Sequence, residues 1–185
     1  VAIGAINNDG NGSNAGHVRI YEYNSGTSSW TQLGGDIDGE AADDNGGNSV
    51  SMSSDGSRVA IGAYRNDGNG SNAGHVRIYE YNTGTSSWSQ LGSDIDGEAA
   101  GDQSGWSVSM SSDGSRVAIG ARYNDGNGSN AGHVRIYEFQ AANPEIKISG
   151  NSTEITDGDA TPSTTHNTDF GQVNITGGVM NKTFT

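Results

Sequence analysis

Asn7-Asn-Asp9-Gly-Asn11-Gly12 fits the first half of a calcium-binding loop, D-x-[DN]-x-[DN]-G. Calcium needs six to eight oxygens, with a bidentate Glu at the twelfth position of such a loop. Here that position is Val18, and the first position becomes Arg65 and Tyr123 where the loop recurs. The candidates Asp9, Asn11, Asp67, Asn69, Asp125 and Asn127 therefore supply one carboxylate per loop. A structural turn is the expected reading, with at most weak calcium binding and no other cofactor.

A second group is acidic. Asp36, Asp38, Glu40, Asp43 and Asp44 crowd one stretch, and Asp94, Asp96, Glu98 and Asp102 crowd its copy. Paired carboxylates serve glycoside hydrolysis. An active site, however, needs one asymmetric constellation, and this group is repeated. A solvated acidic loop is expected instead, and the chain is not expected to be an enzyme. His17, His75 and His133 have no second His or carboxylate at ligand spacing, so they read as structural. Gly10-Asn-Gly12-Ser-Asn-Ala-Gly16 has the wrong spacing for a dinucleotide loop, and a strand follows it.

These groups recur because the chain repeats. Val-Ala-Ile-Gly-Ala begins at Val1, Val59 and Val117, a period of 58 residues. A fixed period of this length means stacked copies of one supersecondary unit. Each copy holds four strand signals: Trp106–Ser111, Arg116–Ala121, His75–Tyr81 and Ser87–Gly92. Alternation with β-branched and aromatic residues marks them. Ser-Ser-Asp113-Gly-Ser is a short hairpin turn. Four antiparallel strands per repeat, in tandem, read as propeller blades. The fold class is thus all-β, a fragment of a β-propeller over residues 1–139. Blade one has strands two to four, blade two is complete, and blade three has strands one to three. Residues 140–144 form a linker, and 145–185 change vocabulary to short strands and turns. The chain opens inside a strand, and further blades are expected upstream.

Composition narrows the partners. Net charge is −13, which argues against nucleic acid and anionic membrane surfaces. No run is long and apolar enough to span a bilayer, so no membrane insertion is expected. There is no Cys, which removes disulfides and thiol chemistry. Thirty glycines sit at repeat positions and imply tight turns, not disorder.

Gly105-Trp-Ser-Val108, Asp113-Gly114, Val117-Ala-Ile-Gly-Ala121 and Gly132-His-Val-Arg-Ile-Tyr137 resemble the FG-GAP repeat of integrin α-type β-propellers. They are closer still to divergent versions in large secreted proteins of marine bacteria. The resemblance covers residues 1–139. Its calcium loop does not carry over, because the link between strands one and two is only Ser-Ser-Asp-Gly-Ser-Arg. Pro144-Glu-Ile, Asp157-Gly-Asp-Ala-Thr-Pro-Ser and Thr168-Asp-Phe-Gly resemble the start of a choice-of-anchor, ASH-like immunoglobulin-like sandwich. Together these likenesses imply an extracellular or cell-surface module for adhesion or scaffolding. Its ligand would be a protein or polysaccharide. A glycan-active propeller enzyme with its site elsewhere, or a cation-dependent structural module, are the alternatives. Alternating loops imply that the acidic stretches and the Asp-Gly-Asn-Gly loops share one face.

Overall fold

The computed structural model describes residues 1–139 and the strands Ile148–Gly150 and Thr153–Ile155. Fourteen antiparallel strands and no helix occur among the described residues. They fall into two units, Val1–Gln140 and Ala141–Thr185.

Blade one contains β1 (Ala2–Ala5), β2 (His17–Asn24), β3 (Ser29–Gln32) and β4 (Ile37–Asp38). Blade two contains β5 (Ser49–Met52), β6 (Arg58–Ala63), β7 (His75–Asn82), β8 (Ser87–Gln90) and β9 (Ile95–Asp96). Blade three contains β10 (Ser104–Met110), β11 (Arg116–Ala121) and β12 (His133–Glu138). Strand order in blade two is β5-β6-β7-β8, a meander. Register repeats with the sequence: Arg58 faces Glu80 across β6 and β7, and Arg116 faces Glu138 across β11 and β12.

The fourth strand departs from expectation. It comes in two pieces on one neighbour: β8 pairs with the far half of β7, while β9 returns to pair Asp96 with His75 and Ile95 with Val76. Blade one does the same with β3 and β4. Asp38 and Asp96 therefore sit on an edge strand, not in a free acidic loop. Ile37 and Ile95 explain this, since both pack into the cores between blades and pull the chain back to the sheet.

Each core lies between two blades. Val18, Ile20 and Ile37 meet Val59 and Ile61, with Met52 and Trp88 at the margin. Ala60, Val76 and Ile78 meet Met110, Val117 and Ile119. Alternation along β6 and β7 sends neighbouring residues to opposite blades, as a half-repeat of two requires. Where β5 and β10 meet, the strands carry serine. Ser49 Oγ donates to the Gly105 carbonyl at 2.7 Å, and Met110 N donates to Ser51 Oγ at 2.9 Å. Trp106 leaves the expected alternation: pairing between β10 and β11 shifts register between Ser104 and Ser107, and Trp106 turns onto Tyr64 rather than the core.

Glycine is required where backbones touch. A Cβ on Gly39 would overlap the Ala15 carbonyl, and one on Gly97 the Ala73 carbonyl. This closeness lets the loop entering strand three and the loop leaving strand four bond backbone to backbone, as in Gly39 N to Gly16 O at 2.8 Å.

In the second unit, Ile148–Gly150 (β13) pairs antiparallel with Thr153–Ile155 (β14). Linker 140–144 and the rest of the immunoglobulin-like reading of 145–185 lie outside the described residues.

Candidate functional site

The Asp-Gly-Asn-Gly loops hold themselves. Asp9, Asp67 and Asp125 accept the backbone N–H of Asn14, Asn72 and Asn130 at 2.6–2.8 Å. Asn11 Nδ2 donates to the Gly39 carbonyl at 2.8 Å, and Asn69 Nδ2 to that of Gly97 at 2.7 Å. These side chains tie the loop after strand two to the stretch after strand four. Asn127 has no such partner among the described residues. In each loop the Asp side chain closes its own turn, while Asn11 and Asn69 reach across to a neighbouring stretch.

The acidic stretches carry more. Asp44 and Asn66 are buried, and Asn66 Nδ2 donates to the Asp44 carboxylate across the blade boundary at 2.9 Å. Asp102 and Asn124 repeat this at 2.7 Å. A buried amide–carboxylate bond with no water competing is a strong form of hydrogen bond.

Between blades one and two sits the fullest cluster. Arg77, on β7, grips Asp94 with two bonds of 2.8 and 2.7 Å. Its Nη2 is also 2.7 Å from Glu40, which belongs to the preceding blade. His75, two residues earlier on the same strand face, is 4% exposed at its side chain. Its Nδ1 lies 3.7 Å from Asp94 and 3.9 Å from Glu40, and has no hydrogen-bond partner. Glu40, His75, Arg77 and Tyr79 line a cavity of about 20 Å³, room for one water.

Titration follows from these contacts. The Arg77 hydrogen bonds hold the Asp94 carboxyl below the usual range, against a smaller opposing effect of burial. Arg77 itself is raised, first by Asp94. Burial pushes His75 down, and the Arg77 charge adds to this. Burial raises Tyr79. In the hairpin turns, Ser53 and Ser57 hold Asp55 down to about 2, and Ser111 and Ser115 do the same for Asp113.

The other copies carry halves of this cluster. Arg19 grips Asp36 in blade one, with His17 Nδ1 3.6 Å from the same carboxylate. Arg135 meets Glu98, with His133 Nδ1 at 3.5 Å. The histidines thus do have carboxylate neighbours, which their sequence spacing hid. Of the acidic residues, Asp36, Glu40, Asp44, Asp94, Glu98 and Asp102 are likewise paired rather than merely solvated, while Asp38 and Asp96 are exposed on the edge strands. Arg19, Arg77 and Arg135 were the missed residues; a signal existed in the recurring 17-residue interval from Arg19 to Asp36 and from Arg77 to Asp94.

Two donor sets could be asked to hold a metal: His17, Asp36 and Asp38, and Glu40, His75 and Asp94. In the second, Arg77 Nη2 is 2.7 Å from both carboxylate oxygens that face His75. The chain already supplies the positive charge a cation would bring. In the first set Arg19 neutralises Asp36 alone.

Stacked antiparallel blades joined by a charged seam define an all-β, propeller-type repeat scaffold. Residues 37–79 and 94–137 both match the FG-GAP repeat, so the chain carries two FG-GAP repeats. Each match begins at the tail of one blade and ends in strand three of the next. It therefore contains a whole seam: Glu40 with Arg77, then Glu98 with Arg135. No curated protein matches this chain.

Proposed function

We propose that this chain is part of a non-enzymatic repeat module, extracellular or at a cell surface, that holds a protein or polysaccharide ligand. The observation that carries it is the pair of FG-GAP repeats, whose polar clusters recur once per blade and engage one another across the blade boundary. Side chains held in this way build a rigid surface. Recognition by such a scaffold falls to the residues that differ between copies. The test is retention of a panel of polysaccharides and matrix proteins on the immobilised 185-residue chain, with reducing-end release measured in parallel. Retention without release is expected. Release from any polysaccharide, or retention of nothing on the panel, overturns the reading.

A cation-dependent module is the second reading, favoured by the Glu40, His75 and Asp94 donors. Arg77 weighs against it. Melting temperature with calcium and with chelator separates the two: an unchanged melt is expected.

A further inference from the structure

Repeats that agree almost everywhere differ most sharply around one place. Over residues 1–24, 59–82 and 117–140 the copies depart at four positions only. Two are the mild changes Tyr23/Tyr81/Phe139 and Asn24/Asn82/Gln140. The other two are drastic: Ile6 becomes Tyr64 and then Arg122, while Asn7 becomes Arg65 and then Tyr123. From the second copy to the third the pair keeps its composition and reverses its order. Nearby, Asn48 becomes Trp106 and Asn45 becomes Gln103.

The fold brings these positions together. Strands two end where strands one begin, so Arg122 Nε donates to Gln103 at 2.8 Å. Arg122 Cζ lies 3.2 Å from the Trp106 ring centroid and 4.4 Å from that of Tyr123. Tyr64 meets Trp106 edge-on, centroids 4.8 Å apart, and Arg65 lies 5.4 Å from the Tyr64 ring. The result is a ladder across two blades: cation, ring, ring, cation, ring. Arg65, Arg122 and Tyr123 are exposed.

Charge singles out the same place. Arg19, Arg58, Arg77, Arg116 and Arg135 each sit within 4 Å of a carboxylate. Among the described residues, Arg65 and Arg122 alone of the arginines have no such partner. In a chain with 22 acids against nine bases, two unneutralised guanidiniums on one aromatic ladder are a strong departure. Stacking fixes the guanidinium plane; Gln103 takes the Nε of Arg122, whose two Nη groups, without a hydrogen-bond partner among the described residues, remain for an incoming carboxylate.

We propose that this ladder is a binding site for a uronic-acid polysaccharide. It deepens the ligand-holding module proposed above and rests on that reading. A uronate offers one carboxylate for the guanidinium fork and a flat, weakly polar ring face for Tyr123. Its single charge per sugar also suits a surface that is otherwise acidic, which would repel a denser polyanion.

The test is titration of the 185-residue chain with polygalacturonate, with dextran and polyglutamate as comparison probes. Saturable binding of polygalacturonate, weakened by salt, is expected, with none of dextran. Joint replacement R65A/R122A should weaken binding about tenfold or more, and Tyr123→Ala by several-fold, with each variant still melting cooperatively well above the assay temperature. Tyr23→Ala, an exposed aromatic outside the ladder, should bind as the parent does. Unchanged binding by the double variant, preference for polyglutamate, or no binding of polygalacturonate overturns the site. The module reading survives each of these outcomes if the panel above still yields a retained ligand without release, and falls if the panel yields none or any polysaccharide is cleaved.

Discussion

β7 and β12 share the sequence His-Val-Arg-Ile-Tyr-Glu, yet live in different surroundings. In β7, Val76 and Ile78 are 0% and 1% exposed; in β12, Val134 and Ile136 are 67% and 70% exposed. Both strands keep the same register to the strand before them. Pairing is thus a property of the hairpin, while burial is conferred by the following repeat. β7 is covered by blade three and flanked by β8 and β9; no strand pairs with the far edge of β12 among the described residues. A repeat of this kind holds its shape locally and most of its stability at its borders.

The largest expected effect tests this directly. Ile78→Ala should destabilise by about 2–5 kcal/mol, through lost burial plus a cavity between blades. Ile136→Ala, the same change in the same sequence context, should stay within about 0.5 kcal/mol. Equal losses in denaturant melts would show that β12 is covered as β7 is.

Next comes the seam. Arg77→Ala leaves Asp94 and Glu40 facing each other without a cation and should cost about 1–3 kcal/mol. Arg135→Ala, on an exposed pair with one acid, should have a clearly smaller effect in the same assay.

Acid should weaken the middle copy in two stages. His75 has a folded pKa below its usual value near 6.5, so the folded state binds fewer protons and stability falls as pH drops below about 6.5. Asp94 is also depressed. Its contribution is complete above its usual pKa of about 3.9 and is lost as pH falls through the lower folded value. Melting temperature against pH should show both stages in the parent and only the lower one in His75→Gln.

The smallest contrast is Asn69→Ala against Asn127→Ala. Asn69 ties two loops together, so about 0.5–1.5 kcal/mol is expected there and little at Asn127.

Much of the scaffold was legible. The period, the three long strand types and the Asp-Gly hairpin follow from alternation and turn chemistry. The two-residue strands β4 and β9 were not, because Ile37 and Ile95 give no periodic signal and act only through a neighbouring blade. Arg77 and Glu40 are 37 residues apart and on different blades, so no spacing rule joins them. The ladder was hidden for a related reason: Trp106 meets Arg122 across a register shift between β10 and β11, and meets Tyr64 only once blades stack. Asp9 and its copies read as turn residues, and each does close its own turn; an oxygen that closes a turn and one that binds an ion look alike in sequence.

The near-identity of the copies has a consequence for how the chain folds. A strand such as β6 has a twin in β11, so exchanged hairpins would form almost the same hydrogen bonds. What separates right from wrong is loop closure: β6 reaches β7 across 11 residues, but reaches β12 across 69. The entropy of closing the longer loop exceeds that of the shorter by about 1.6 kcal/mol, a ratio of order tenfold in early encounters. That is a modest bias, and exchanged species are the characteristic trap of such arrays. The Glu40–Arg77 and Glu98–Arg135 contacts tie each blade to its predecessor, but both use the same chemistry and cannot tell one predecessor from another. The contact of Tyr64 with Trp106 can, since the equivalent positions at the preceding boundary are Ile6 and Asn48, so part of the patch that distinguishes the copies on the surface also labels one blade for the next during assembly.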